Sequence, residues 1–184
     1  EEMTLPEHMA NYDLKLQLRK FAKVDIGYDE SVLSKPEIDA LGKLVKAARV
    51  MDDIFWIQVW AGNEAMTKEL DDVHVWAHRH PFTDLGEQVD MIHNLLRYYK
   101  INFGPWDRLE EDKPFIGTAA KPKGANYYPE DMTAEEFDNF LTENKDQEEA
   151  FRGYFHTIRR KDGTLTAVPY SVEYKDLLEK AATL

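Results

Sequence analysis

Apolar residues recur at three- and four-residue steps over the stretch from Ser34 to Asn63, SKPEIDALGKLVKAARVMDDIFWIQVWAGN. Ile38, Leu41, Leu44, Val45, Ala48, Met51, Ile54, Phe55 and Val59 form the stripe of an amphipathic helix. Its start is marked by Ser34 as N-cap with Glu37 three residues on, by a Leu33–Ile38 hydrophobic staple, and by Pro36 in the first turn. Gly62 offers a stop. A helix of this length crosses a small domain, and the flanking segments are expected to pack on it.

The rest of the pattern is shorter. Leu14, Leu16 and Leu18 alternate as in a strand, whereas Leu14, Leu18, Phe21 and Ala22 fit a short helix, so both readings stay open. A second helix is expected from Asn63 to about Ala77. A third, capped by Thr83 or Asp84, carries Leu85, Val89, Ile92, Leu95 and Leu96 and reaches Lys100. Residues 101–131 change character, with Gly, Pro and aromatics in INFGPWDRL, KPFIG and KPKGANYYPED. So long a loop is often functional or wrapped on the core. Thr133 with Glu136 is a second capping box, with a Met132–Phe137 staple, and opens a helix to about Glu143. YFHTIRR and TLTAVPY flank Lys161-Asp162-Gly163, a β-hairpin signal, and Ser171 is placed to cap a last helix with Val172, Leu177, Leu178 and Ala181. The pattern predicts a predominantly helical α+β fold, helices around one long central helix and a β-hairpin near the C-terminus. Residues 1–20 are expected to be loosely held and 21–184 to form a single domain.

Composition narrows the function classes. The 184 residues are 43% hydrophobic, enough for a core. With 35 acidic against 23 basic residues the net charge is −12, which repels nucleic acid and anionic membrane surfaces. No apolar run is long enough for a transmembrane helix and no secretory signal is present, so a soluble protein is expected, its compartment left open. The absence of Cys excludes disulfides and thiolate chemistry. The chain starts Glu1-Glu2-Met3 and is expected to be a processed or excised piece of a longer polypeptide.

Four constellations bear on chemistry. His74 and His78 stand four apart, a spacing that suits a zinc-binding helix face, with Asp71 one turn before and His80 beside Pro81; they are weak metal candidates, since the H-E-x-x-H pattern is missing. Of Asp52 and Asp53, one is expected to lie near the apolar stripe, capping a loop or pairing with an Arg. In Gly104-Pro105-Trp106-Asp107-Arg108-Leu109, Trp106, Asp107 and Arg108 are the candidates for lining a cleft, against the plainer reading of a loop pinned by Trp106 and an Asp–Arg pair. Lys121-Pro122-Lys123-Gly124 lacks the surroundings of a phosphate loop, and no G-x-S-x-G elbow occurs.

In order and spacing, LGKLVKAARVMDDIFWIQVWAGN, INFGPWDRL with KPFIG, KPKGANYYPEDMTAEEF and TIRRKDGTLTAVPYSVEYKDLLEKAA resemble the N-terminal part of bacterial peptidase family M49, the dipeptidyl peptidase III-like zinc peptidases. The resemblance implies a two-lobed enzyme with a wide cleft that removes dipeptides from peptide N-termini. It also implies zinc held by His-Glu-x-x-x-His and Glu-Glu-x-x-x-Glu/Asp helices. Neither pattern occurs here: the pairs Glu110-Glu111, Glu135-Glu136 and Glu148-Glu149 lack the continuation. No catalytic, cofactor or metal residue is therefore carried over. The expectation is a non-catalytic scaffold or cleft-wall domain whose partners are the remainder of the parent polypeptide and, in the parent, zinc and a peptide substrate. The alternative is a standalone binding domain that uses residues 101–131.

Overall fold

The structure, a computed structural model, describes residues 12–79 and 86–184, with the side chains at 77, 78 and 86–88 left aside. They form two compact units, each made of two separate stretches of chain: 12–27 with Ala61–Lys121, and Tyr28–Trp60 with Pro122–Leu184. The architecture is the predominantly helical α+β one, with two small antiparallel hairpins.

The first unit contains α1 (Leu14–Leu18), α3 (Asn63–Arg79), α4 (Gly86–Asn102) and a short hairpin of β1 (Trp106–Asp107) and β2 (Lys113–Pro114). The open choice at Leu14–Leu18 resolves as helix. Asp13 caps it by accepting from the Leu16 N–H at 2.9 Å, and Leu14 and Leu18 are buried where α1 packs on α4. The segment expected to be loosely held is thus packed from Tyr12 onward. Helix α4 carries the core, with Ile92, Leu95, Leu96, Tyr98 and Tyr99 buried. The cap residues Thr83 and Asp84, and Leu85, lie outside the described residues.

The second unit contains α2 (Lys35–Val59), α5 (Ala134–Glu143), α6 (Glu148–Arg152), the hairpin β3 (His156–Lys161) and β4 (Thr164–Pro169), α7 (Tyr170–Glu173) and α8 (Lys175–Ala182). Helix α2 starts where its signals put it: Glu37 accepts from both the Ser34 N–H and hydroxyl at 2.7 Å. Its apolar stripe is only partly covered. Val50, Ile54 and Val59 are buried and α8 packs along the helix, whereas Leu44, Val45, Met51 and Phe55 remain 66%, 46%, 40% and 37% exposed. Asp52 and Asp53 are both exposed, so neither is the half-buried carboxylate that the stripe predicted.

The hairpin turns on Asp162 (φ 51°) and Gly163 (φ 79°), both left-handed as a type I′ turn demands, which keeps His156 opposite Pro169. Pro169 ends β4, where no ladder donor is needed. Ser171 does not cap the last helix. It lies inside α7, and Tyr174 (φ −111°, ψ 25°) separates that turn from α8. The second capping box is half formed: Thr133 accepts from the Glu136 N–H at 3.1 Å, but the Glu136 carboxylate is drawn to Arg160 at 2.6 and 2.8 Å. The guanidinium offers an opposite charge and two donors where the cap offers one backbone N–H, so the Arg wins.

The core of this unit is Leu141, Phe151, Ile158 and Leu165, with Tyr128, Met132, Phe137 and Phe140 packed on it. Phe151 is stacked on Phe140 with centroids 4.7 Å apart. Arg159 joins three segments by bonding Glu173 through Nε at 2.9 Å and the Asn126 carbonyl at 3.0 Å. Asn126 also donates to the Ile57 carbonyl of α2 at 2.8 Å. Among the described residues no helix is long and apolar enough to cross a membrane. Phe151→Ala should cost about 3–5 kcal/mol of unfolding free energy, read as a fall in the urea midpoint, because a stacked and fully packed ring leaves a cavity.

Candidate functional site

The cleft-lining candidates sit just after α4. The helix ends with Phe103 (φ 54°) and Gly104 (φ 151°), and the Gly104 N–H donates to the Tyr99 carbonyl at 3.2 Å. Gly104 is required by its φ, which lies outside what side chains readily adopt; a Cβ would meet Asn63 Oδ1 and the Trp106 ring only at an ordinary contact distance of 3.5 Å. Asn63, itself buried, donates to the Phe103 carbonyl at 3.1 Å and accepts from the Tyr99 hydroxyl at 2.9 Å. Asn102 donates to the Tyr98 carbonyl at 3.0 Å and accepts from the Arg108 N–H at 3.0 Å. Two asparagines therefore splice the end of α4 to the loop.

Trp106 is 3% exposed and its indole N–H donates to the Ala119 carbonyl at 2.8 Å. Asp107 is fully buried. Its carboxylate accepts from the Tyr12 hydroxyl and, at 2.9 Å, from the Leu109 N–H. Its own carbonyl accepts from the N–H groups of Glu110 at 3.2 Å and Asp112 at 2.9 Å. The following turn needs Glu111 (φ 55°) and Asp112 (φ 58°) in the left-handed region, and Lys113 then pairs back with Asp107 across the hairpin. Lys20 reaches this turn by bonding Glu110 at 2.6 Å. Tyr98, Tyr12 and Phe115 pack around the carboxylate, with the Tyr98 and Phe115 centroids 4.9 Å apart.

Burial pushes the Asp107 carboxyl upward, but the Tyr12 hydroxyl, the neighbouring Tyr98 hydroxyl, the Leu109 N–H and the Lys20 charge outweigh it and hold the group below the ordinary carboxylate range. Burial, together with the Asp107 charge beside them, pushes both tyrosines well above the usual phenol range, so they stay protonated donors. A carboxylate with no exposed surface and its oxygens already taken by donors is an anchor, not a base that a substrate can reach. Arg108 differs from its neighbours. Its side chain is exposed, with the guanidinium carbon 5.3 Å from the centre of the Phe103 ring.

The other candidates do not converge on one site. His74 is partly buried with its ring 6.0 Å from that of His93, and both line an open groove of about 880 Å³ with Lys23, Arg97 and Lys100. Asp71 lies 3.9 Å from Lys100. The side chain of His78, and His80, lie outside the described residues. Among the described residues no three His, Asp or Glu side chains are grouped to hold a metal. Lys121 pairs with Asp112 at 2.9 Å. The residues that sequence reasoning passed over are Tyr12, Asn63, Tyr98 and Asn102, whose partners lie in other segments of the chain.

No family model matches the sequence. The solved structure of DPP III from Caldithrix abyssi matches 92% of this chain at 42% identity, with a TM-score of 0.79. The chain is DPP III-like. The dipeptidyl-peptidase III structure from Corallococcus sp. strain EGB matches 98% of the chain at 37% identity and a TM-score of 0.78. This chain spans only 30% and 31% of those two proteins. Nudix hydrolase 3 of Arabidopsis thaliana is 30% identical over 92% of the chain, which is 27% of the plant protein. The resemblance read from the GPWDRL and KPKGANYYP stretches thus extends to the three-dimensional fold of this DPP III-like chain.

Because the folded Asp107 carboxyl is depressed, its contribution to stability is fully present above the unfolded carboxylate pKa and is lost as pH falls through the folded value. Asp107→Asn should be less stable at neutral pH by about 2 kcal/mol, and the difference should shrink on acidification below about pH 4. Urea melts of both proteins at neutral and acidic pH check this; a gap that stays constant with pH would refute it.

Proposed function

We propose that this chain is a non-catalytic scaffold, and one wall of the cleft, in a dipeptidyl peptidase III-like zinc metallopeptidase that releases dipeptides from peptide N-termini. The observation that carries the reading is the match of nearly the whole chain to about a third of two DPP III structures. Zinc ligands would have to come from elsewhere in the longer polypeptide. The sequence contains neither His-Glu-x-x-x-His nor Glu-Glu-x-x-x-Glu/Asp, and the described side chains offer no set that fits the metal.

Within this reading the GPWDRL loop divides its labour. Trp106 and Asp107, buried and fully bonded, brace the loop. Arg108, with its exposed side chain, is the member of the trio suited to meet a peptide in the cleft. A standalone binding domain built on residues 101–131 gains no support from the geometry, because the apolar anchors Trp106, Phe115 and Ile116 are buried.

The test is a graft. This chain replaces the matching third of the Caldithrix abyssi enzyme, and hydrolysis of a dipeptidyl arylamide is measured beside zinc content. The graft should bind zinc and turn over within about tenfold of the parent enzyme, and the chain alone should do neither. Zinc-dependent cleavage by the chain alone, or a folded, zinc-loaded graft without activity, would overturn the proposal.

A further inference from the structure

Helix α2 has two apolar sides, and the second unit uses one of them. The buried side carries Val50 and Ile54, and α8 is the helix packed along α2. On another side Leu41, Leu44, Ala48, Met51 and Phe55 follow one another at steps of three, four, three and four residues. That alternation is the spacing of a seam between two helices, not of a face that meets a sheet or water. Ala40 and Ala47 border the column, and Ala48 at its middle leaves room for close approach. Leu44 is 66% exposed and Met51 40%. A contiguous apolar column of this kind on a chain of net charge −12 marks a surface that a partner covers.

We infer that this seam is the docking site for an amphipathic helix belonging to the remainder of the longer DPP III-like polypeptide. The inference rests on the proposed function, and it adds where and by what chemistry the remainder attaches. The occupant follows from two facts. The spacing selects a helix as the mating element. The matched structures are more than three times longer than their matched part, so about seventy per cent of each is polypeptide with no counterpart in this chain. A second copy of the chain is the competing occupant, and burial of the column within the chain itself is the other.

Methionine footprinting decides among them. Met51 lies in the seam, and Met132, already packed against the core of the second unit, is the internal reference. The chain alone and the graft in the Caldithrix enzyme are treated with dilute peroxide, and sulfoxide is read peptide by peptide by mass spectrometry. Met51 should oxidise freely in the chain alone and at least about fivefold more slowly in the graft, with Met132 unchanged. Equal oxidation of Met51 in both would overturn the inference. Protection in the chain alone would also overturn it: protection that grows with protein concentration would assign the seam to a second copy, and protection independent of concentration to the chain itself. Leu44→Lys supplies a second readout. It should leave the melting temperature of the chain alone unchanged and lower that of the graft; an unchanged graft would refute the seam. Activity of the graft is scored separately. An active graft with unprotected Met51 sinks this inference alone, and an inactive graft with protected Met51 sinks the functional reading alone.

Discussion

A charged carboxylate inside an apolar environment is tolerated only when its lone pairs are occupied, and in the first unit that constraint falls on Asp107. Its hydrogen-bond donors are the Tyr12 hydroxyl, from ahead of α1, and the Leu109 N–H in its own loop, with Tyr98 of α4 packed beside them. Satisfying the charge therefore fixes the entry of the chain and the hairpin that follows α4. The two asparagines on the neighbouring helix ends do the same for the backbone, where the chain must leave α4 through two consecutive left-handed residues. Polar groups rather than apolar bulk set the path here, because an apolar ring would pack in several orientations and a buried carboxylate in one.

This explains what could be read from the sequence. The boundaries of α2 and α5, and the hairpin with its Asp162-Gly163 turn, depend on neighbours within a few residues, and the residue types announce them. Trp106 is legible as the residue that pins its loop, but the Tyr12 partner of Asp107 is not, since it lies 95 positions away. The same limit applies to Ser171 and Glu136. Each has the right residue type for a cap, and each was redirected by a contact that sequence spacing does not reveal: the break at Tyr174, and the guanidinium of Arg160. The long stripe on α2 was legible as apolar, but a one-dimensional pattern does not distinguish one wide buried face from two faces with different fates.

The buried loop and the open side of α2 have opposite meanings under the proposed function. The GPWDRL segment looks like a functional loop by composition, yet most of its distinctive side chains brace the unit that carries them. The helix that looked like plain scaffold is the element with apolar surface to spare. Under the proposed function such a piece acts by position: it would hold surfaces in place for chemistry whose atoms are supplied by another stretch of polypeptide.

The interleaving of the two units has a bearing on how the molecule is made. As a ribosome delivers the chain from its N-terminal end, α2 emerges more than a hundred residues before α8, the helix that packs along it. Helix α1 likewise precedes the β1–β2 loop that anchors Tyr12. Neither unit can close until synthesis has passed through part of the other, so each closes through contacts of high sequence separation and the nascent α2 carries both apolar sides uncovered in the meantime. A two-sided amphipathic helix waiting in that state is the segment on which a chaperone would be expected to sit first.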